Sequence, residues 1–194
     1  MKILIAVPTF ENIQPEVFKA IYNLDPCGYE LHFDYMRGYD CAIARNEIAK
    51  LAQADAYDYV LMVDSDTLIP PDTIKLMLEP AEDVVLAVCP RKNTKEGKSA
   101  IVKANARAYS DCYYYSDMPE KRVRVKGGGF ACAMIKTSVF TELDYPYFQY
   151  VTNEDWTTFS EDYYFCMNCA SYGIDIWMDP RVRCGHLARY YQYE

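Results

Sequence analysis

Residues 59–66 read YVLMVDSD, an apolar run that passes directly into two aspartates separated by one serine. Five consecutive apolar residues, Tyr59–Val63, predict a short strand that is buried on both faces, as the strands of parallel sheets are. Alternate side chains of an extended chain lie on the same side, so Asp64 and Asp66 can converge on one ligand. We expect them at the carboxyl end of a sheet strand, where ligands bind in open α/β sheets.

Strand and helix patterns alternate along the first half of the chain. Apolar runs predict strands over 2–7, 29–36, 59–63 and 83–89, and helical spacing or helix-starting prolines predict helices over 16–24, 41–54 and 70–78. This alternation indicates an α/β fold with a parallel sheet.

The second half of the chain is less regular. Residues 91–125 are polar and rich in tyrosine, and they predict loops and short antiparallel strands. Beyond them we expect strands at 130–135 and 174–178, helices at 137–143 and 160–172, and an aromatic loop at 145–159. Because the sequence shows no repeat or linker, we predict one domain over residues 1–194.

The bulk composition excludes several classes of protein. The chain is 51% hydrophobic and 25% charged, which is typical of a globular domain. Its net charge of −8 disfavours a nucleic-acid partner, and no apolar run reaches the ~20 residues that a membrane span needs. Eight cysteines occur without a signal-peptide pattern, and several have apolar neighbours, so we expect reduced thiols and a cytoplasmic protein.

The two aspartates and one histidine are candidate metal ligands. Hard divalent ions such as Mn²⁺ or Mg²⁺ favour carboxylate oxygens and take further ligands from a phosphate, which suits Asp64 and Asp66. A polar turn that begins the next helix is the alternative interpretation of this motif. Of the two histidines, His186 follows a predicted strand and a turn and is the better ligand candidate, whereas His32 lies within a strand pattern and is interpreted as structural.

A second acidic pair opens the helix predicted at 160–172. Asp162 shares a helical stripe with Phe165, Cys166 and Cys169, so it should point inward from the first turn. The positive end of the helix keeps such a carboxylate ionised, as a general base requires. Simple helix capping, with Ser160 at the cap, is the alternative interpretation.

Taken in order, these motifs resemble the GT-A-fold glycosyltransferases, most closely those of the family 2 type with an Asp-x-Asp metal motif. Residues 6–9 are similar to the opening strand and nucleotide-contacting turn of that family, Arg45-Asn46 to its Arg-Asn pair, and Asp64–Asp66 to its metal-binding motif. Gly128-Gly129 is similar to its glycine loop, and the stretch from Glu161-Asp162 to His186 matches the family from its catalytic Glu-Asp to its late metal-binding histidine.

The resemblance implies a single GT-A-type, Rossmann-like domain with a mainly parallel central sheet and a small antiparallel second half. Residues 1–90 would bind the nucleotide, and residues 91–194 would supply the acceptor and catalytic side. The implied activity moves a sugar from a nucleotide-diphosphate sugar to an acceptor hydroxyl with inversion, using Mn²⁺ or Mg²⁺. A UDP-sugar is the favoured donor and a GDP-sugar its alternative, and the acceptor would be a carbohydrate, a lipid-linked molecule or a protein.

The resemblance also implies a role for individual residues. The nucleotide-sugar contacts would be Pro8, Thr9, Glu11, Arg45, Asn46, Asp64, Ser65, Gly128 and Gly129. The metal ligands would be Asp64, Asp66 and His186, and the catalytic residues would be Asp162, as general base, and Glu161. On the acceptor side we expect Tyr150 and Trp156, since aromatic rings offer flat apolar surfaces to sugars, and an ordinary aromatic core under the loop is the alternative interpretation.

Three other functions are compatible with some of these residues. A haloacid-dehalogenase-type phosphatase would use Asp64 as its nucleophile, although its motif normally follows the first strand and not the third. A structural zinc module could be built from Cys166, Cys169, Cys184 and His186. A binding module could hold a nucleotide sugar without turning it over.

Overall fold

Nine strands of the described residues form one sheet, and they come from both halves of the chain. The computed structural model describes residues 1–38, 40–79, 81–92, 97–108, 110–154 and 157–187. In chain order the elements are β1 (Lys2–Thr9), α1 (Pro15–Tyr22), β2 (Glu30–Arg37), α2 (Cys41–Ala54), β3 (Tyr59–Val63), β4 (Thr67–Leu68), α3 (Thr73–Leu78), β5 (Val84–Val88), β6 (Lys98–Lys103), β7 (Cys112–Tyr114), β8 (Val123–Gly128), β9 (Cys132–Lys136), α4 (Val139–Glu142), β10 (Val151–Thr152), β11 (Thr158–Phe159), α5 (Glu161–Ser171), β12 (Ile176–Arg183) and β13 (Gly185–His186).

The sheet has the strand order β2-β1-β3-β9-β5-β12-β8-β6-β7. Three of its pairings are parallel, those of β1 with β2, β1 with β3, and β5 with β12. The other five are antiparallel, because β9 enters between β3 and β5 and because β8, β6 and β7 extend the sheet beyond β12. The α/β prediction is confirmed, but the sheet is mixed, and its antiparallel strands belong to the central sheet and not to a separate half.

Helices cover both faces of this sheet and bury two apolar cores. Along β1, Leu4 and Ala6 face one core, while Ile3, Ile5 and Val7 face the other. The first core includes residues of α2, α4 and α5, and the second includes residues of α1 and α3. Burial on both faces explains the uninterrupted apolar runs of β1, β3 and β5. No described helix is long and apolar enough to cross a bilayer.

Two helices begin next to the carboxyl ends of the strands, and they begin in different ways. The Asp40 carboxylate caps α2 by accepting a hydrogen bond from the Ala42 N–H at 2.7 Å. Ser160 precedes α5 as predicted, but its hydroxyl does not cap the helix and instead donates to the Asp162 carboxylate. The serine therefore helps to hold Asp162, a role that a capping pattern does not predict.

Candidate active site

A short strand pairing brings the two ends of the candidate site together. β4 begins directly after Asp66, β13 ends at His186, and their antiparallel register sets His186 opposite Thr67. The Leu187 N–H donates to the Asp66 carbonyl at 2.9 Å, which fixes this arrangement. Asp66 and His186, which are far apart in the sequence, thus become neighbours, as the prediction of a shared metal site requires.

Asp66, His186 and Lys92 form what we call the open cluster. His186 Nε2 lies 3.3 Å from Asp66 Oδ1, and the Lys92 ammonium bonds Asp66 Oδ2. Burial alone would raise the pKa of the Asp66 carboxyl, but hydrogen bonds from His186 and Lys92 outweigh it and lower this pKa to about 2. The bond to Asp66, assisted by Cys89, raises the pKa of His186 to about 10. Asp66 is therefore the shared partner of both His186 and Lys92.

Asp66 and His186 fit the role of protein ligands to a divalent cation. His186 Nδ1 lies 2.8 Å from the Pro90 carbonyl and donates to it, which directs Nε2 toward Asp66. Carboxylate oxygen and imidazole nitrogen are suitable donors for Mn²⁺. Within the described part of the chain, no three His, Cys, Asp or Glu side chains converge as a complete metal site. The chain thus offers two ligands, and a metal here would need the others from a phosphate or water.

Arg45, Glu161 and Asp64 form what we call the buried cluster. Arg45 Nη2 donates to Asp64 Oδ1 at 2.8 Å, and Nη1 bonds the Glu161 carboxylate. Arg45 is 2% exposed and Glu161 is 6% exposed. The expected nucleotide contact of Arg45 is therefore corrected, because its guanidinium lies behind Asp64 and is occupied by two carboxylates. Glu161 is likewise buried and held in an ion pair with Arg45.

Asn46 also lies away from the ligand position that the resemblance implies. Its amide nitrogen donates to the carbonyls of Ala42 and Phe148 at 2.9 and 2.7 Å, and its Oδ1 accepts from the N–H groups of Tyr147 and Phe148 at 2.9 and 3.1 Å. All of its hydrogen-bonding capacity is used within the protein. Asn46 consequently anchors the segment at 147–148, and the expected nucleotide contact is corrected to a structural role.

Asp162 lies at the first turn of α5, beside the glycine segment that ends β8. Its Oδ1 accepts from the Ser160 hydroxyl and from the Tyr163 N–H, the latter at 2.7 Å. A Cβ added to Gly129 would lie 3.4 Å from Asp162 Oδ2 and 3.0 Å from the Ala100 Cβ. The missing side chain at position 129 thus leaves room around the free oxygen of Asp162.

The preceding glycines are required for packing. A Cβ on Gly127 would lie 2.7 Å from the Cys166 Cβ, and one on Gly128 would lie 2.5 Å from the Ile101 Cδ1. Gly128 is buried, so the expected donor contact at this residue is corrected to close packing of β8 against its neighbours. Only Gly129 remains positioned next to the candidate base.

A cleft of about 360 Å³ opens beside the open cluster, and an adjoining cavity of about 300 Å³ continues it. Their walls contain five of the predicted contact residues, Pro8, Thr9, Glu11, Asp64 and Ser65, together with Phe10, Asn12, Gln14, Gly38, Cys41, Ala44, Asp66, Lys92 and Leu187. Thr9 is 6% exposed, and no described residue forms a hydrogen bond with its hydroxyl. A buried polar atom without a partner on the wall of a cleft is a candidate ligand contact.

The two aromatic residues predicted on the acceptor side are Tyr150 and Trp156. Tyr150 is 47% exposed, and partial burial together with the negative charge of the Glu161 carboxylate raises the pKa of its hydroxyl. Trp156 lies outside the described residues.

The family model named glycosyl transferase family 2 matches residues 30–144, which is more than half of the chain. The chain belongs to glycosyl transferase family 2. The matched segment contains the Arg45 pair, Asp64–Asp66 and the glycines, whereas Asp162 and His186 lie beyond it. No curated sequence matches this family 2 chain significantly.

Solved structures with the same fold include two glycosyltransferases and the protein A197 from STIV. A197 from STIV has 14% identity and a TM-score of 0.69, covering 97% of this chain and 87% of its own. GalNAc-T7 with UDP, GalNAc and Mn²⁺ has 11% identity and a TM-score of 0.67, covering 97% of this chain but only 43% of its own. A Drosophila β-1,4-galactosyltransferase 7 mutant with manganese, UDP-Gal and xylobiose has 15% identity and a TM-score of 0.56. The match covers 97% of this chain and 71% of the galactosyltransferase chain. At these identities the likeness establishes the fold.

The structure of this family 2 chain excludes the zinc alternative. Cys166 and Cys169 are fully buried in the core beneath α5, whereas Cys184 lies in the core on the opposite face of the sheet. His186 bonds Pro90 and Asp66 instead. The four side chains therefore do not meet, and the two cysteines of α5 act as apolar core residues. The phosphatase alternative is also disfavoured, because Asp64 Oδ1 is bound by Arg45 and the family is that of glycosyltransferases.

Lys92 and Phe10 are among the residues lining the cleft that sequence reasoning missed. A signal for Lys92 was present, because it follows a predicted strand by three residues and the carboxyl ends of strands face the site. Phe10 follows Thr9 directly and is 56% exposed.

Proposed function

We propose that this family 2 chain transfers a sugar from a nucleotide-diphosphate donor to an acceptor hydroxyl, with inversion and with the help of a divalent cation. The observation that carries the proposal is the pairing of Asp66 with His186 beside a cleft whose wall holds the buried, unpartnered Thr9 hydroxyl. A donor diphosphate in this cleft would lie next to both candidate metal ligands.

The chain supplies Asp66 and His186 as the residues that would hold Mn²⁺ or Mg²⁺. When bound, the cation would supply positive charge against the charge that develops on the leaving diphosphate. Asp64 is assigned to the sugar or ribose side of the donor, because Arg45 fixes one of its oxygens and its side chain remains 31% exposed to the cleft. Pro8, Thr9, Glu11 and Ser65 are assigned to the nucleotide.

Asp162 is proposed as the general base. Ser160 and the Tyr163 N–H hold Oδ1, and no described residue donates to Oδ2. Oδ2 can therefore take the proton of the acceptor hydroxyl while the acceptor oxygen bonds to the anomeric carbon and the diphosphate leaves with its electron pair. A single displacement of this kind inverts the anomeric centre. Glu161 is reassigned from catalysis to positioning, since it neutralises the buried Arg45.

The donor and acceptor are proposed at the level of chemical class. A UDP-sugar is the favoured donor and a GDP-sugar its alternative; of the two glycosyltransferase structures named above, one holds UDP and the other UDP-Gal. The acceptor is a carbohydrate, a lipid-linked molecule or a protein, and Tyr150 is proposed to lie on its side of the site. A cytoplasmic location is also proposed, and it is supported by eight free cysteines, of which six are buried.

The metal assignment is tested by calorimetric titration of UDP and of GDP, with Mn²⁺ or with a chelator. We expect at least one nucleotide to bind more tightly with Mn²⁺, and Asp66→Asn to remove that difference. Equal affinities in the two conditions would contradict the metal assignment.

The base is tested by Asp162→Asn, which keeps the size and hydrogen bonding of the side chain but cannot accept the proton. Transfer should fall by about 10²–10⁴-fold, since this is what general-base catalysis contributes, while donor affinity should barely change. Asp144→Asn, on an exposed aspartate, is the matched control and should transfer normally. Tight donor binding by the unmodified protein without transfer to any acceptor tested would instead favour the binding module.

A further inference from the structure

The cleft contains one cation that the proposed mechanism leaves without a role. Among the described residues that line the two cavities, Lys92 is the only lysine or arginine. The acidic residues Glu11, Asp64 and Asp66 line the same walls. A nucleoside diphosphate brings additional negative charge into this cleft, so a positive side chain on its wall has an evident electrostatic partner.

The position of Lys92 makes it exchangeable. Its ammonium bonds Asp66 Oδ2, the carboxylate oxygen that is not facing His186. The Lys92 side chain is 48% exposed, and exposed ion pairs of this kind are weak and easily exchanged for another partner. Arg45, by contrast, is buried between two carboxylates and has no freedom to move toward a ligand.

We propose that Lys92 is a phosphate-binding residue that pairs with Asp66 in the empty cleft and transfers to the donor diphosphate when a divalent cation occupies Asp66. This inference rests on the proposed function and deepens it. One side chain then has two partners, a carboxylate in the empty state and a diphosphate in the loaded state. Lys92 competes with the metal when the metal is alone and supports the nucleotide when both are present.

The exchange predicts two effects of opposite sign for the same substitution. Lys92→Met removes the charge and keeps the length of the side chain. Mn²⁺ alone should bind more tightly to this variant, by up to about fivefold, because no ammonium competes for Asp66. UDP at saturating Mn²⁺ should bind about 10- to 100-fold more weakly, because a charge-assisted hydrogen bond to the diphosphate is lost. A purely structural lysine would not separate the two affinities in this way.

The experiment measures free Mn²⁺ by electron paramagnetic resonance and UDP affinity by calorimetry. Lys136→Met is the matched control, because Lys136 is 44% exposed, pairs with Asp83, and lies opposite Tyr59 at the far end of β3. It makes the same change in net charge and should leave both affinities unchanged. Lys92→Arg should retain most of the UDP affinity, and circular dichroism of each variant verifies folding.

Three results would overturn the inference, and they are distinguishable from one another. If Lys92→Met bound UDP with Mn²⁺ as tightly as the unmodified protein, the role of Lys92 would be wrong while the proposed donor site would stand. If the unmodified protein bound neither UDP nor GDP under any condition, the proposed function would fail and the diphosphate role of Lys92 would fail with it. Weaker binding of Mn²⁺ alone to Lys92→Met would also contradict the competition.

Discussion

The buried cluster and the open cluster lie on the two sides of the Asp64–Asp66 turn, yet they are built in opposite ways. In the buried cluster a 2% exposed arginine is enclosed by Glu161 and Asp64. In the open cluster a half-exposed lysine and a partly buried histidine share one carboxylate. In the buried cluster Arg45 and Glu161 are shielded from solvent and only Asp64 reaches the cleft, whereas in the open cluster all three side chains are partly exposed.

This difference separates residues that position from residues that bind. A buried charge without a partner is strongly unfavourable, so Arg45 and its carboxylates must remain together in every state of the protein. The open pair contributes little to folding and can be replaced by a cation or a phosphate. Asp64 and Asp66 look equivalent in the Asp-x-Asp motif, but their partners differ. The buried Arg45 holds Asp64 in place, whereas Asp66 pairs with the exposed Lys92, which a ligand can replace.

The largest expected effect tests the buried cluster. Arg45→Met should lower the free energy of unfolding by about 3–5 kcal/mol, because it leaves the buried Glu161 carboxylate without its partner. Urea denaturation followed by circular dichroism measures this loss. Adding Glu161→Gln to the variant should recover part of it, since the unpaired charge is then removed as well. A loss below about 1 kcal/mol would mean that the cluster is not the rigid support described above.

The parts of the fold that the sequence predicted well are those where one physical cause dominates. The predicted bounds of α2, 41–54, and of β3, 59–63, are confirmed. Asp40 caps the start of α2, and all five residues of β3 are apolar and buried. The position of β9 between β3 and β5 was not predicted. Hydrophobic periodicity indicates that a strand is buried, but it does not indicate the direction of the strand or its neighbours.

In the candidate site, the meeting of Asp66 with His186 was expected from the sequence, whereas the enclosure of Arg45 and the position of Lys92 were not. Asp66 and His186 were predicted to meet, and the structure brings them together through β4 and β13. Arg45 was expected to face the ligand, because a sequence pattern cannot show that Glu161, far along the chain, would enclose it. Lys92 was missed for a related reason, since its significance arises only from its distance to Asp66.

A third ion cluster, whose residues line neither of the two cavities, is one that we expect to be purely structural. Asp179 is fully buried and accepts from Arg122 and Arg181, at 3.0 and 2.7 Å. Burial opposes the charge of Asp179, but these hydrogen bonds outweigh it and lower the pKa of the carboxyl. Asp179→Asn should lower the free energy of unfolding at neutral pH by about 1.5–3 kcal/mol, as expected for hydrogen bonds to a charged group.

The contribution of Asp179 to the free energy of unfolding should depend on pH. Because the pKa of Asp179 is lower in the folded state than in the unfolded chain, its contribution is fully present above the unfolded value of about 4. It is lost as the pH falls below that value toward the folded pKa. The stability gap between the unmodified protein and Asp179→Asn should therefore narrow on acidification, as measured by urea denaturation at stepped pH. A constant gap would show that packing, and not the charge, causes the loss.

The smallest expected effect concerns stability in the open cluster. Lys92→Met should change the free energy of unfolding by less than about 1 kcal/mol, because its side chain is 48% exposed and solvent screens its pair with Asp66. Asp66 keeps its contact with His186 in this variant, so no carboxylate is left without a partner. Urea denaturation in parallel with Arg45→Met makes the comparison direct, since both substitutions replace a cation by the same neutral side chain. A loss comparable to that of Arg45→Met would mean that Lys92 is held as firmly as the buried arginine and cannot leave Asp66 for a ligand. A small loss of stability, together with the weaker nucleotide binding predicted above, would show that Lys92 serves ligand binding while Arg45, on the other side of the same turn, serves folding.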